Sequence, residues 1–358
     1  MKASSIDRIR PEVRAVAGYH LKAYDCPVKL NQNESPFDVP EALKADILDA
    51  VRQRPWSRYP QPMPTDLVEA LARHVGTDPE GMIVCNGSNT LIQLVLAVST
   101  SPGVSVVIPS PSFSLYDLYA GIFGGRVVPV SLASDYTFDI PAIRDAVCRE
   151  RAHTLILCSP NNPTGCRMRS ADLVSILDGT DALVLVDEAY GEFSDWTALD
   201  LLPQHPNLIV LKTFSKAFGA AGIRIGYLMA HPDLMREIIK GKIPFDINVF
   251  SHTAALKILA HPDIIQERVS FIIAERERVR NALREIDGVR VRPSHANFML
   301  IEMADPKAVF TGLVERGVLV RDVTGYPMLS NALRVNVGTV EENDRFLHAL
   351  DETLQEMT

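Results

Sequence analysis

Between about residue 80 and residue 230, the chain alternates short apolar runs with segments long enough to form helices. Such runs are typical of strands buried on both faces, and helix-length connections allow consecutive strands to run parallel. Six runs show this character: VSVVI (104–108), RVVPV (126–130), TLILC (154–158), ALVLV (182–186), NLIVL (207–211) and IRIGYLM (223–229). The pattern therefore predicts an α/β fold with a mostly parallel central sheet flanked by helices.

The C-terminal part of the chain follows a different pattern. Apolar residues at helical spacing from Pro262 to Ile286 predict one long helix, which suits a boundary between two domains. Thr339 and Glu342 form a capping-box pattern at the start of a last helix. Three further apolar runs are predicted as strands with helices between them, which gives an α+β unit: NFMLI (297–301), GVLVR (317–321) and ALRVNV (332–337).

These changes of pattern predict how the chain is divided. Its 358 residues are enough for two domains of about 150 residues or more. We expect a polar N-terminal arm over 1–28, a large domain over 29–246 and a smaller α+β domain over 247–358.

Composition and charge narrow the class of protein. The net charge of −8 offers no basic patch for nucleic acid or an anionic membrane surface. We expect no signal peptide, because the N-terminus lacks an apolar region. We also expect no membrane span, because prolines and amide side chains interrupt the long uncharged stretch over 81–116. The five cysteines are odd in number and contain no CxxC pair, which predicts reduced thiols in the cytoplasm.

Polar residues directly follow three of the predicted strands. SPNNPTG (159–165) follows TLILC, DEAYGEF (187–193) follows ALVLV, and KTFSKAFG (212–219) follows NLIVL. Ligands of parallel sheets bind beyond the carboxyl ends of the strands, so we expect a single site at this edge. The residues it would gather are Asn162, Asp187, Tyr190, Ser215 and Lys216.

Another segment suits the binding of an anion. Ser88 and Asn89 precede LIQLVLAV, which is apolar on nearly every face and is therefore predicted to be a buried helix. The free amides and the dipole at the start of such a helix bind phosphate groups. Arg224, which lies eight residues after Lys216, can add a bidentate donor.

Lys216 lies between Phe214 and Phe218 in the stretch TFSKAFG. Taken alone, a lysine in a polar turn is a surface charge, and Lys212 is a competing lysine. An anion cradle, a carboxylate at a buried strand end and a nearby lysine together fit pyridoxal 5'-phosphate, which forms a Schiff base with lysine and pairs its ring nitrogen with a carboxylate. Burial beside the two phenylalanines and Arg224 would disfavour the lysine charge and activate the amine.

The patterns of other cofactors are missing from the sequence. The nine histidines show no HExxH motif or paired ligand spacing, so no metal site is expected. GAAGIRIG (219–226) does not match GxGxxG, and there is no GxxxxGK[ST] motif. Enzymes that use nicotinamide or nucleoside triphosphates are therefore disfavoured.

Four motifs together carry a family resemblance: SPNNPTG, DEAYGEF, TFSKAFGAAGIRIGY and LRVNVGT. In this order they resemble the fold-type I aminotransferases that depend on pyridoxal phosphate, and within them the histidinol-phosphate aminotransferases. The resemblance runs from LNQNESPF near residue 30 to the last helix.

The resemblance implies a role for each matching residue. Lys216 would form the Schiff base, Asp187 would pair with the ring nitrogen, and Tyr190 would act with them in catalysis. Asn162 and Tyr190 would contact the ring oxygen, and Phe113, where the family often has tyrosine, would stack on the ring. The other implied contacts are with the cofactor phosphate (Ser88, Asn89, Ser215, Arg224 and, from the neighbouring subunit, Tyr59) and with the substrate (Tyr19, Asn33, Arg321, Arg334).

The resemblance also implies an activity. We expect a homodimer that transfers an amino group between glutamate and histidinol phosphate in histidine biosynthesis. An aromatic amino acid aminotransferase and a threonine-phosphate decarboxylase remain alternatives, because they share much of this scaffold.

Overall fold

The computed structural model describes residues 5–18 and 22–357. Within these ranges the strands are β1 Val28–Lys29, β2 Met82–Cys85, β3 Ser105–Ser110, β4 Arg126–Ser131, β5 Thr154–Cys158, β6 Leu183–Asp187, β7 Leu208–Thr213, β8 Gly226–Ala230, β9 Arg290–Val291, β10 Phe298–Glu302, β11 Val318–Leu319, β12 Arg321–Asp322 and β13 Ala332–Asn336. The helices are α1 Pro11–Ala15, α2 Glu41–Arg52, α3 Thr65–Val75, α4 Ser88–Ser99, α5 Leu115–Ile122, α6 Ile140–Arg149, α7 Ser170–Leu177, α8 Pro232–Ile238, α9 Val249–Leu259, α10 Pro262–Arg284, α11 Pro306–Glu315 and α12 Val340–Glu356.

The central sheet has seven strands in the order β2-β8-β7-β6-β5-β3-β4. Its strands pair in parallel from β7 through β6, β5 and β3 to β4, whereas β8 is antiparallel to both of its neighbours. All six runs predicted as strands belong to this sheet, so the predicted α/β class and the mostly parallel sheet are confirmed. The strand β2, with the short sequence MIVC, was not predicted, because a four-residue apolar run can belong to a strand or to a helix.

Alternate residues of the sheet supply two apolar cores. One face packs against α4, α5 and α8, with Ile156, Leu185 and Leu211 at its centre. The other face packs against α3, α6 and α7 and continues into the C-terminal part of the chain. Side chains alternate along β6, so Asp187 lies on the same face as Leu185 and Glu188 on the same face as Val186. These two adjacent carboxylates therefore lie on opposite faces of the sheet.

The C-terminal part is built on a four-stranded antiparallel sheet in the order β12-β13-β10-β9. The predicted long helix is α10, and the predicted capping box at Thr339 and Glu342 starts α12. GVLVR was predicted as one strand and this is wrong, because the chain passes from one sheet to another at Val320. The helix predicted between GVLVR and ALRVNV is also wrong, because 323–331 forms turns that lead directly from β12 to β13. β11 pairs with β1, whereas β12 pairs with β13.

β1 and β11 form a separate two-stranded parallel sheet, which ties the segment before α2 to the C-terminal part of the chain. The backbone of Leu30 continues this contact through hydrogen bonds with Leu319 and Asn336. The domain boundaries proposed from the sequence stay a prediction. In the part of the chain that the structure describes, no helix has the length and apolar character needed to cross a membrane.

Candidate active site

A cavity of about 470 Å³ opens where the parallel strands end. It receives side chains from β5, β6 and β7, from the start of α4 and α5, and from the C-terminal sheet. The predicted residues that line it are Asn33, Ser88, Asn89, Phe113, Asn162, Asp187, Tyr190, Ser215, Lys216, Arg224, Arg321 and Arg334. Tyr19 lies outside the described residues, and Tyr59 does not line this cavity.

Lys216 follows the end of β7 and points into the cavity. Its Nζ donates a hydrogen bond to the Gln32 carbonyl at 2.9 Å and lies 5.8 Å from the centre of the Tyr190 ring. Burial, and after it the charge of Arg334, lower the pKa of Lys216 to about 8, and Arg224 acts in the same direction. A substantial fraction of this amine is therefore neutral near pH 7 to 8.

The two phenylalanines that flank Lys216 do not produce this effect. Phe214 and Phe218 stack on each other at 4.2 Å between ring centres and belong to the core on the opposite face of the sheet. Our expectation that they surround the amine is wrong, because the turn between them directs Lys216 the other way. Their packing in this core holds the turn in place.

Lys212, the competing lysine, lies in a different environment. Its Nζ forms ion pairs of 3.1 Å with both Glu188 and Glu192 on the far side of the sheet. Burial lowers the pKa of Lys212, but the charges of Glu192 and Glu188 outweigh it and raise the pKa above its ordinary value. A lysine that is held protonated in a buried ion pair is a structural residue and a poor nucleophile.

Asp187 ends β6 at the floor of the cavity. Its Oδ2 accepts a hydrogen bond from the Tyr116 hydroxyl at 2.7 Å, and its Oδ1 accepts one from the Ala189 amide at 2.9 Å. Burial raises the pKa of Asp187 to about 6, although both hydrogen bonds oppose the rise. The carboxylate therefore favours a positively charged partner, such as a protonated ring nitrogen.

The predicted anion cradle forms at the start of α4. Arg224 adopts a left-handed backbone conformation with φ of 53°, and its Nη1 donates to Ser215 Oγ at 3.3 Å and to the Ala221 carbonyl at 3.0 Å. A Cβ on Gly87 would overlap the Arg224 guanidinium, and a Cβ on Gly226 would lie 2.5 Å from the Ser88 amide. The two glycines thus let a guanidinium and the helix amides converge, which suits a phosphate.

Two separate sets of hydrogen bonds hold polar side chains of the cavity in place. Asn33 Nδ2 donates to the Tyr190 hydroxyl at 2.9 Å, and burial raises the pKa of Tyr190 well above its ordinary range. Arg334 donates to Asn162 Oδ1 and, at 2.7 Å, to the Asn31 carbonyl. These bonds connect β13 with the loop that follows β5 and with the segment that follows β1.

Arg321 and Arg334 are direct partners across β12 and β13. Like charges opposite each other destabilise an antiparallel pair, so this arrangement favours an anion between or beside them. Arg334 is buried and its guanidinium lies 5.2 Å from the centre of the Phe298 ring. Arg321 is partly exposed and also borders a second, adjoining cavity.

Two predicted aromatic residues lie in contrasting positions. Phe113 borders the cavity and packs edge-on against Tyr116, with ring centres 5.5 Å apart. Tyr59 is 84% exposed and contacts Phe245 at 5.0 Å between ring centres. Its predicted contact with the phosphate of a neighbouring subunit stays a prediction.

Sequence reasoning missed several residues of the cavity. Tyr116 is the main one, because it contacts Asp187 directly. The signal was present in LYDLYAGI, since a tyrosine in a buried helix needs a partner for its hydroxyl. Gln32 contributes only a backbone carbonyl, which no side-chain pattern can reveal.

Known proteins resemble this chain over nearly its whole length. The family described as aminotransferase class I and II matches residues 27–350. Histidinol-phosphate aminotransferases from Chlorobaculum parvum and Chlorobaculum tepidum are both 43% identical over 344 residues, which is 96% of this chain and 97% and 99% of theirs. The crystal structure of histidinol-phosphate aminotransferase from Sinorhizobium meliloti, in complex with pyridoxal 5'-phosphate, matches with a TM-score of 0.90 at 26% identity and covers 100% of both chains. The chain therefore belongs to the class I and II aminotransferases and, within them, to the histidinol-phosphate aminotransferase family.

Proposed function

We propose that this protein is a pyridoxal-phosphate-dependent aminotransferase that exchanges an amino group between histidinol phosphate and 2-oxoglutarate. The observation that carries the proposal is the convergence of three groups on one cavity: Lys216 with its lowered pKa, the buried Asp187, and the facing pair Arg321 and Arg334. When bound, pyridoxal phosphate withdraws electrons from the substrate Cα–H bond into its ring.

The residues present fit this cofactor. The amides at the start of α4, with Ser88, Asn89, Ser215 and Arg224, would hold its phosphate. Asp187 would hold the ring nitrogen protonated, and Phe113 would cover one face of the ring. Asn162 and Tyr190 would donate to the ring oxygen.

Lys216 would act first as the covalent attachment point and later as a base. As a neutral amine, its Nζ can accept the proton from the substrate Cα. The lowered pKa of Lys216 suits this role, since an ordinary lysine with a pKa of about 10.4 would be protonated at neutral pH.

The two arginines would decide which substrates are accepted. Glutamate carries two carboxylates and histidinol phosphate carries a phosphate monoester, so one site must bind different anions in turn. Guanidinium groups bind both kinds of anion through paired hydrogen bonds. Arg334 would bind the α-carboxylate of glutamate, and Arg321 would bind its distal carboxylate or the phosphate of histidinol phosphate. Tyr19 and Asn33 are proposed to cover and support the substrate.

We propose a homodimer on the basis of exposed aromatic residues. Trp56 is 64% exposed and packs against Phe250 at 5.1 Å between ring centres, and Tyr59, three residues later in the chain, packs against Phe245. Ile243 is 67% exposed in the same segment as Phe245. Apolar groups clustered in this way are typical of a surface that a second copy covers.

A cytoplasmic location also stays a prediction. The observation that supports it is that all five cysteines are free thiols in the structure.

The substrate assignment can be tested by comparing kcat/KM for histidinol phosphate, phenylalanine and phosphothreonine, with release of CO₂ measured for the last. We expect histidinol phosphate to be preferred. Arg321→Ala should lower its kcat/KM by about 10- to 100-fold, the scale of a hydrogen-bonded charge pair, and affect phenylalanine little. Arg290→Ala is the matched control, because Arg290 is 72% exposed in its side chain and lies at the opposite edge of the same sheet.

Three results would contradict the assignment. Phenylalanine could be the best amino donor, or Arg321→Ala could reduce all donors equally. Decarboxylation of phosphothreonine without transamination would favour the decarboxylase.

A further inference from the structure

Tyr116 lies beneath the cavity and is fully buried. It comes from the first turn of α5, where its ring packs edge-on against Phe113. Its hydroxyl donates to Asp187 Oδ2 at 2.7 Å. One short segment thus supplies both the ring that borders the cavity and the hydroxyl that contacts the carboxylate at its floor.

The hydrogen bonds of Asp187 constrain how its carboxylate is oriented. A carboxylate offers about four acceptor positions on two oxygens. The Ala189 amide occupies one position on Oδ1 and the Tyr116 hydroxyl occupies one on Oδ2. A donor on each oxygen fixes the plane of the carboxylate and leaves acceptor positions available to a partner in the cavity.

Tyr116 is suited to remain a donor. Burial and the nearby charge of Asp187 raise the pKa of Tyr116 well above its ordinary value, so the hydroxyl keeps its proton. Because the phenol is neutral, it supports the carboxylate without neutralising it, as a buried cation would. Asp187 therefore keeps its negative charge for the group that binds above it.

We infer that Tyr116 is a positioning residue, which holds Asp187 in the orientation and the ionised form that pairs with the ring nitrogen of the cofactor. The inference rests on the proposed function. Tyr116 would therefore act on the ring nitrogen of the cofactor, through the carboxylate of Asp187.

A cofactor analogue isolates that atom. Apoprotein is titrated with pyridoxal phosphate and with 1-deazapyridoxal phosphate, in which carbon replaces the ring nitrogen, and binding is followed by protein fluorescence. We expect Tyr116→Phe to weaken binding of pyridoxal phosphate about tenfold, the scale of a hydrogen bond to a charged group. Binding of the deaza analogue should change less than about twofold, because Asp187 has no nitrogen to pair with.

Tyr227→Phe is the matched control. Tyr227 is fully buried on β8, and its hydroxyl lacks a hydrogen-bond partner among the residues that the structure describes. Removal of this hydroxyl should leave the affinity for both compounds unchanged.

A second measurement uses Asp187→Asn as the background. Adding Tyr116→Phe to this variant should cause no further loss of affinity for pyridoxal phosphate.

The outcomes separate this inference from the proposed function. Equal weakening of both compounds by Tyr116→Phe, or a further loss in the Asp187→Asn background, would show that Tyr116 only supports the fold and would overturn the inference. Failure of the wild-type apoprotein to bind pyridoxal phosphate would overturn the proposed function, and the inference with it.

Discussion

Lys212 and Lys216 are four residues apart, yet their environments give them opposite chemistry. Lys212 is the last but one residue of β7 and points to the face where Glu188 and Glu192 hold its charge. Lys216 lies past the strand end, where burial and two arginines disfavour its charge. Local charge therefore favours Lys216 over Lys212 as the proposed covalent residue.

The first prediction concerns this choice. Treating the holoprotein with borohydride should fix the cofactor to Lys216, because a substantial fraction of its amine is neutral whereas Lys212 is held protonated by Glu188 and Glu192. Proteolysis and mass spectrometry locate the adduct. Lys216→Ala should yield no adduct, and an adduct on Lys212 would show that the assignment is wrong.

The second prediction concerns the pH at which Lys216 reacts. Its pKa of about 8 means that the neutral amine predominates above that pH, so the rate at which apoprotein captures pyridoxal phosphate should rise with pH around a midpoint near pH 8. Arg334→Gln removes a charge that lowers this pKa and should move the midpoint upward. Glu34→Gln removes a charge that raises it and should move the midpoint downward.

Stopped-flow absorbance between about pH 6.5 and 10 measures these midpoints, with the ordinary lysine pKa of about 10.4 as reference. Shifts in the same direction for the two variants would contradict the electrostatic explanation.

At the scale of elements, continuous apolar runs were sufficient to predict six strands of the central sheet, since burial on both faces leaves a strong signal. Periodicity does not show which sheet a short strand joins, and for this reason GVLVR was read as one strand although Val318 and Arg321 lie in different sheets. The site was predictable where a side chain with distinctive chemistry follows a strand, as with Asp187 and Lys216. The direction in which Phe214 and Phe218 point depends on a turn whose geometry the sequence does not specify.

The third prediction concerns the contact between β8 and the start of α4. Gly226 begins β8, and a Cβ there would lie 2.5 Å from the Ser88 amide. Gly226→Ala should displace this end of the helix, weaken the affinity for pyridoxal phosphate about tenfold and lower the free energy of unfolding by about 1–3 kcal/mol. Fluorescence titration and denaturant unfolding measure the two effects.

Gly325→Ala is the control for this change, because a Cβ at Gly325 would meet nothing within 4 Å. If Gly226→Ala retained full affinity for the cofactor, the helix start would not be the phosphate site.

At the scale of the molecule, the cavity depends on contacts between distant parts of the chain. Arg334 on β13 reaches Asn162 after β5, and Tyr136 donates to Glu302 on β10 at 2.8 Å. The side-chain amide of Asn33 donates a hydrogen bond to the hydroxyl of Tyr190, 157 positions further along the chain. Such long-range contacts mean that the site forms only when the central and C-terminal sheets are packed together.

The last prediction concerns the second copy of the chain. Tyr59 is 84% exposed and does not line the cavity of its own chain. We propose that its hydroxyl completes the phosphate site of the partner. Tyr59→Phe should weaken cofactor retention by about 1 kcal/mol or somewhat more, since it removes one hydrogen bond to a charged group. Sedimentation should show a dimer at the assay concentration, and a fully active monomer would contradict the proposal.

Mixed dimers test whether Tyr59 acts across the interface. Tyr59→Ala and Lys216→Ala proteins, each weakly active or inactive alone, are unfolded together and refolded as a mixture. In a mixed dimer, one site combines the intact Lys216 of one subunit with the intact Tyr59 of the other, and random pairing should restore about a quarter of the wild-type activity. If Tyr59 served the site of its own chain, every site in the mixture would lack one of the two residues, and the activity of the mixture would stay at the average of the two variants.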